Sequence, residues 1–277
     1  MKERFTVQSF SQAKIARQPI TMLTAYDYSM ARIIDESGVD AILVGDSLGM
    51  TMQGKSSTLE VTLDEMIYHC KCVTRGVNHA LVVGDMPFLT YHISTNEAVR
   101  NAGRFVQAGG VNAVKLEGGC SMADTVRAIV RAQIPVMGHI GLTPQSVNVF
   151  GGFKVQGKEE RRARELIEDA LAIEEAGAFA VVLECVPDEL AKIITGKLTV
   201  PTIGIGAGAH CDGQVLVLHD MLGMYSDFTP KFVKQYARLK TSMTDAFAQY
   251  IQEVRERQFP ERKHTFSMDD SILQKLY

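Results

Sequence analysis

Eight short apolar runs, rich in β-branched residues, punctuate this chain at intervals that leave room for a helix between most neighbours. They are Ile20–Leu23, Ala41–Val44, Ala80–Val83, Ala113–Leu116, Pro135–Met137, Phe179–Leu183, Pro201–Ile205 and Val215–Leu218. Runs that are apolar on both faces belong to strands buried on both sides, as in a parallel sheet covered by helices. The stretches between them carry helix signals: Ser94-Thr-Asn-Glu97 opens a run to Gly109, and Lys158–Ala176 closes on Gly177. Eight such units close naturally into an α/β (βα)8 TIM barrel, with an open doubly wound sheet as the competing arrangement. The stretch between Ile205 and Val215 is too short for a full helix, so GAGAHCDGQ is expected as a loop.

A chain of 277 residues with 46% hydrophobic and 22% charged residues can bury one core of this size, so a single domain over residues 1–277 is expected. The barrel core is read as about 20–226. A helix around Val7–Arg17 precedes it, and a helical stretch from Lys231 to about Arg257 follows. The polar, proline-broken segment from Phe259 to Tyr277 reads as a mobile or subunit-docking tail, so that the C-terminal extension covers about 231–277. These additions cover barrel ends or mediate assembly.

Lys and Arg total 29 against 32 for Asp and Glu, a net charge of -3 that offers nothing to a nucleic-acid backbone or an anionic membrane. The N-terminal stretch is charged and amphipathic without a signal-peptide core, and no run approaches the ~20 apolar residues of a membrane span, so a cytoplasmic protein is expected. Cys70, Cys72, Cys120, Cys185 and Cys211 are scattered, odd in number and without C-x-x-C spacing, so reduced thiols are expected rather than disulfides or a zinc site.

In a parallel barrel the catalytic groups come from the C-terminal ends of the strands, where the βα loops converge. Those ends here carry Asp46 and Ser47, then Asp85, then Lys115 and Glu117, then His139, then Glu184. Each acid taken singly could simply cap the helix that follows it. Carboxylates at three successive strand ends, Asp46, Asp85 and Glu117, repel one another unless a cation or a proton intervenes, and an all-oxygen set suits hard Mg²⁺ better than zinc. Lys115 and Glu117 are two apart on one strand and so face the same side. An inward Lys115 offers a donor for a substrate carboxylate or a developing enolate oxygen, and His139 offers another. Glu184 is the spare carboxylate, suited to general acid or base work. Gly204-Ile-Gly206-Ala-Gly208 sits where barrels often hold phosphate, yet it lacks the dinucleotide spacing and serves equally as a close-packing loop. The cluster His69-Cys70-Lys-Cys72 falls within a helix opened by Thr62-Leu-Asp-Glu65, where neighbouring side chains diverge, so it is read as structural.

With these residues in place, the chain resembles the ketopantoate hydroxymethyltransferase family. The resemblance runs from about Ile20 to Ser226 and rests on MLTAYDYSMARIIDESGVDAILVGDSLGM, VVGDMPF, AVKLEGG, GHIGLTPQS, GIGAG and CDGQVLVLHDMLG. The C-terminal tail is less typical of the family. The resemblance implies a homo-oligomer, a decamer, that transfers a one-carbon unit from 5,10-methylenetetrahydrofolate to 3-methyl-2-oxobutanoate with Mg²⁺, giving 2-dehydropantoate. It puts the metal on Asp46, Asp85 and Glu117, with Glu117 acting directly or through water. Substrate contacts fall on Asp46, Ser47, Asp85, Lys115 and His139, and the catalytic acid or base on Glu184. Two other readings compete: a Mg²⁺-dependent lyase or mutase of the phosphoenolpyruvate mutase and isocitrate lyase type, whose K-K-C-G-H-type segment is not found here, and a non-catalytic barrel that binds metal and an oxo acid. A phosphate-binding barrel enzyme would rest on GIGAG alone.

Overall fold

A computed structural model describes residues 3–150, 152, 155–224 and 229–276. Its centre is a closed barrel of eight parallel strands in sequential order, which excludes the open doubly wound sheet. The strands are β1 (Ile20–Thr24), β2 (Ala41–Val44), β3 (Leu81–Asp85), β4 (Ala113–Glu117), β5 (Val136–Gly141), β6 (Ala180–Glu184), β7 (Thr202–Ile205) and β8 (Gly213–Leu216). Each of the eight apolar runs contributes to one of them. Several strands run further than their apolar stretch, because ladder pairing continues through the ionisable residues: Asp85 pairs with Lys115, Glu117 with His139 and Gly141 with Glu184.

Alternation along the strands separates two apolar cores. Side chains such as Met22, Leu43, Val83, Met137 and Val182 fill the barrel, whereas Ile42, Val44, Val82, Val114 and Leu183 pack outward against the helices. The N-terminal helix Val7–Ala16 closes the bottom of the barrel. Its Phe10 is fully buried among the inward-facing residues, edge-on to Phe5 and Phe179 at 5.4 and 5.2 Å. Lys14 on the same helix donates to Asp212 at 2.8 Å and to the Thr195 carbonyl at 3.0 Å, tying it to the N-terminal ends of β7 and β8.

The outer helices form where their caps are written. Thr62 and Glu65 make a reciprocal capping box that opens Leu63–Gly76, and Ser94 accepts from Glu97 N–H at the start of Thr95–Arg104. On Tyr28–Glu36, buried Asp35 reaches across to accept from the backbone N–H groups of Asn78, His79 and Ala80, at 2.7 to 3.2 Å, just before β3. No helix stands between β7 and β8, as the short GAGAHCDGQ segment requires.

After β8 the outer layer is thin. A four-residue helix, Leu218–Met221, is followed by an irregular stretch, and the long C-terminal helix runs over Leu239–Arg255. This corrects the expected start at Lys231: residues before 239 turn back, with Tyr236 N–H and Leu239 N–H donating to the carbonyls of Met221 and Leu222 at 2.7 and 2.9 Å. None of the residues of Leu239–Arg255 is buried. Ser226, the expected end of the barrel core, lies outside the described residues, as does Tyr277.

Candidate active site

The strand-end residues meet at the C-terminal mouth of the barrel. Asp46, Asp85, Lys115, Glu117 and His139 are each 2 to 4% exposed. Together with Ser47 and Glu184 they line one cavity of about 540 Å³, whose walls also include Leu142, Val182, Val217 and Phe232.

The polar groups form a connected chain. Lys115 Nζ stands 2.7 Å from Asp85 Oδ1, 3.8 Å from Glu117 Oε1 and 3.3 Å from His139 Nδ1. His139 Nδ1 lies 3.3 Å from Glu117 Oε1, and its Nε2 lies 3.2 Å from Glu184 Oε2. Asp46 N–H donates to Asp85 Oδ2 at 3.1 Å, which locks the ends of β2 and β3 together. Ser47 Oγ is 2.8 Å from the hydroxyl of fully buried Tyr26.

These neighbours set the charge states. Burial and the charges of Asp85 and Glu117 push the Asp46 carboxyl well above the usual carboxylate range. Burial raises Asp85 as well, against the pull of Lys115. Burial would raise Glu117, but the hydrogen bond and charge of His139, with Lys115, bring it below its ordinary value. Burial and the Lys115 charge oppose a proton on His139, yet the bonds to Glu117 and Glu184 lift it to about 9. The carboxylate facing each ring nitrogen favours the imidazolium, against the Lys115 ammonium 3.3 Å from Nδ1. Burial likewise disfavours the Lys115 ammonium, and the surrounding carboxylates more than restore it.

The donor set fits a hard divalent cation. Four acids, Asp46, Asp85, Glu117 and Glu184, face two cationic groups, Lys115 and His139. With all four ionised the surplus would be two negative charges, which a divalent ion would offset in place of the protons that burial otherwise favours on Asp46 and Asp85. Asp85 Oδ1 is completely buried and lacks a well-aligned hydrogen bond even though Lys115 Nζ is close. Among the described residues no three of these side chains converge as ready-made ligands. Lys115 leans between Asp85 and Glu117, so taking up an ion there would require the ammonium to shift.

Other singled-out segments are structural. In the helix Leu63–Gly76, His69 Nδ1 bonds the Tyr26 carbonyl at 2.7 Å and Cys70 sits in the outer core. The glycines of GIGAG permit close approach: a Cβ on Gly206 would meet the Phe232 ring at 2.9 Å, and one on Gly208 would meet Asp188 Oδ1 at 1.8 Å. All five cysteines are free thiols.

The sequence profile of the family described as Ketopantoate hydroxymethyltransferase matches residues 4–262. The chain belongs to the ketopantoate hydroxymethyltransferase family. It is 61% identical over 272 residues to the 3-methyl-2-oxobutanoate hydroxymethyltransferase of Clostridium beijerinckii, covering 98% of this chain and 99% of that protein. The enzyme of the same name from Clostridioides difficile is 58% identical over 272 residues, with the same coverage. Similarity to the ketopantoate hydroxymethyltransferase family therefore extends beyond Ile20–Ser226, with the family profile ending at residue 262, inside the C-terminal tail. Among solved structures, phosphonopyruvate hydrolase in complex with oxalate and Mg++ has a TM-score of 0.61 at 11% identity, covering 97% of this chain and 93% of that one. A 2,3-dimethylmalate lyase of the PEP mutase/isocitrate lyase superfamily has a TM-score of 0.59 at 15% identity, covering 98% of each. At such identities the likeness speaks for the barrel fold.

Every strand-end residue singled out from the sequence reaches the mouth. Two further members of the polar network were not read there, Gln145 and Tyr91. Gln145 donates from Nε2 to Asp46 Oδ2 at 2.9 Å and from its backbone N–H to Glu117 Oε2 at 3.0 Å. The only signal for it was its place in the family motif GHIGLTPQS.

Proposed function

We propose that this chain is a 3-methyl-2-oxobutanoate hydroxymethyltransferase, joining the one-carbon unit of 5,10-methylenetetrahydrofolate to C3 of 3-methyl-2-oxobutanoate, with water supplying the new hydroxyl, to give 2-dehydropantoate and tetrahydrofolate. Membership of the family supports the reaction. The observation that carries the reading is the convergence of Asp46, Asp85, Lys115, Glu117, His139 and Glu184 on one cavity at the barrel mouth.

Asp46 and Asp85 would hold Mg²⁺, with Glu117 beside them acting directly or through water. When bound, Mg²⁺ supplies Lewis-acid polarisation of the 2-oxo group. Lys115 brings an ammonium to the same place, suited to the substrate carboxylate or to negative charge developing on the oxo oxygen. His139, with Nε2 3.2 Å from Glu184 Oε2, is a second donor and links the site to that carboxylate. Glu184 is the least buried acid of the group, at 15% side-chain exposure, and so can exchange protons with the incoming one-carbon unit or hold the new hydroxymethyl group. Ser47, fixed by Tyr26, offers a hydroxyl to the substrate. The apolar cavity wall suits both the isopropyl group and a flat pterin.

The reading includes a cytoplasmic homo-oligomer, a decamer. No described helix is long and apolar enough to cross a membrane. Met243, Phe247, Tyr250, Ile251 and Val254 share one face of the exposed C-terminal helix, and such a face calls for a partner. Light scattering is expected to give the mass of a decamer, and a monomeric mass would remove that part.

Incubation with 3-methyl-2-oxobutanoate, methylenetetrahydrofolate and Mg²⁺ is expected to yield 2-dehydropantoate, dependent on the metal. No product at saturating substrate would overturn the assignment.

A further inference from the structure

Three carboxylates share the candidate cation site, and the side-chain amide of Gln145 decides how one of them, Asp46, is presented, while its backbone N–H holds Glu117. Gln145 is 4% exposed, and its side chain uses both amide hydrogens and accepts on Oε1. Beyond its bonds to Asp46 and Glu117, its Nε2 donates to the Met86 carbonyl at 3.0 Å, and its Oε1 accepts from the Tyr91 hydroxyl at 2.6 Å. The Tyr91 hydroxyl in turn accepts from Glu117 N–H at 3.2 Å, so its single hydrogen is free only for Gln145. Two acceptors facing Nε2 and one donor facing Oε1 leave the amide a single orientation. Tyr91 is 1% exposed, which removes water as a substitute partner.

The loop is closed: Glu117 N–H to Tyr91, Tyr91 to the Gln145 amide, and Gln145 N–H back to Glu117 Oε2. From the same amide a bond leaves for Asp46 Oδ2. One oxygen of Asp46 and one of Glu117 are thereby occupied by protein donors, as Asp85 Oδ2 is by Asp46 N–H. An oxygen that accepts one hydrogen bond keeps a second lone pair, so these donors bias each acid toward offering its other oxygen to an ion rather than both.

We propose that Gln145, oriented by Tyr91, is a positioning and specificity-determining residue that biases Asp46 toward offering a single oxygen and so favours Mg²⁺ over Ca²⁺. Mg²⁺ demands a tight octahedron of single oxygens at about 2.1 Å, whereas Ca²⁺ takes more ligands at about 2.4 Å and readily uses both oxygens of one carboxylate. Releasing Asp46 Oδ2 would relax the site toward the larger ion. The inference rests on the proposed divalent-cation site and concerns cation choice, which the reaction itself does not specify.

Calorimetric titration of the full-length protein with Mg²⁺ and with Ca²⁺ tests it. Gln145→Met keeps the volume and removes every side-chain hydrogen bond. It is expected to weaken Mg²⁺ binding by about 10- to 100-fold, the usual effect of losing a partner that orients a metal ligand, while Ca²⁺ binding weakens less or tightens. Tyr91→Phe, which leaves the amide in place but free to turn, is expected to shift the Mg²⁺ to Ca²⁺ ratio in the same direction by a smaller factor. Equal losses for both ions in both variants would mean a merely structural role and would overturn the proposal, as would unchanged affinities. Wild-type protein that takes up neither ion would instead bring down the functional reading, and this inference with it.

Discussion

Lys115 Nζ pairs with Asp85 Oδ1 at 2.7 Å from the directly opposite position on the neighbouring strand, so the barrel ladder itself delivers the ammonium to the carboxylate. Removing that cation leaves three buried carboxylates with less compensation. Lys115→Met is therefore expected to lower thermal stability without metal and to show a larger Mg²⁺-induced rise in Tm than wild type. Turnover should fall by about 10²- to 10³-fold, as when one preorganised donor is lost. Thermal scans with and without Mg²⁺ decide the first part, and an equal rise in both proteins would sink it.

Asp85 and Glu184 are expected to separate binding from turnover. Asp85→Ala removes an acid that sits among the proposed cation ligands, and substrate binding should lose its Mg²⁺ dependence. Glu184→Ala leaves that group intact, so 3-methyl-2-oxobutanoate should still bind in the presence of Mg²⁺ while product formation is lost. Calorimetry with the oxo acid checks both halves: unchanged binding in the first variant, or none in the second, contradicts the roles.

Gly141 ends β5 with a φ of 96°, and a Cβ there would stand 2.3 Å from the carbonyl oxygen of Glu184. The clash is with backbone and cannot be relieved by a rotamer change. Gly141→Ala is expected to cost about 1–3 kcal/mol in strain and to reduce turnover by displacing Glu184. Gly103→Ala, within the helix Thr95–Arg104 and with open space around it, serves as the control and should be neutral or slightly stabilising. Chemical denaturation of both variants makes the comparison, and a Gly141→Ala protein as stable as Gly103→Ala would refute it.

Asp35 contributes a pH-dependent clamp far from the mouth. Burial pushes its carboxyl up, but the N–H groups of Ala80, Asn78 and His79 outweigh that and hold it below its ordinary value of 3.8. A carboxylate depressed by folding stabilises the protein above the unfolded pKa, and that stabilisation is lost as pH falls through the folded one. Asp35→Ala is expected to cost about 2–3 kcal/mol near neutral pH, where it strands buried donors. The stability gap to wild type should hold down to about pH 5 and close below about pH 4. A gap that stays open at low pH would show that packing, not charge, is what Asp35 provides.

The barrel was legible because its strands are apolar on both faces, a pattern few other arrangements tolerate. Where strands ended was less so. Asp85, Glu117 and Glu184 look like loop residues by type, yet each belongs to a ladder, since the backbone can pair while the side chain turns into a polar mouth. The charged members of the site could be read from their positions at strand ends. Gln145 could not, because a neutral amide has no spacing rule, and its contact with Asp46 spans 99 positions. The C-terminal helix was placed too early for a related reason: residues 231–238 have helical composition but are held by carbonyls of the preceding turn, a tertiary constraint that composition does not carry.

Leu43, Val182 and Val215, whose side chains fill the barrel above Phe10, give the cavity a closed apolar floor. A vessel open at one end works as a stack, in which what enters first leaves last. Were the small oxo acid held at Asp46 and Asp85, as proposed, and the larger folate bound nearer the opening, the oxo acid would have to arrive before the folate, and tetrahydrofolate to depart before 2-dehydropantoate. Initial-rate patterns with a dead-end analogue of each substrate would register that compulsory order, and random-order kinetics would contradict it.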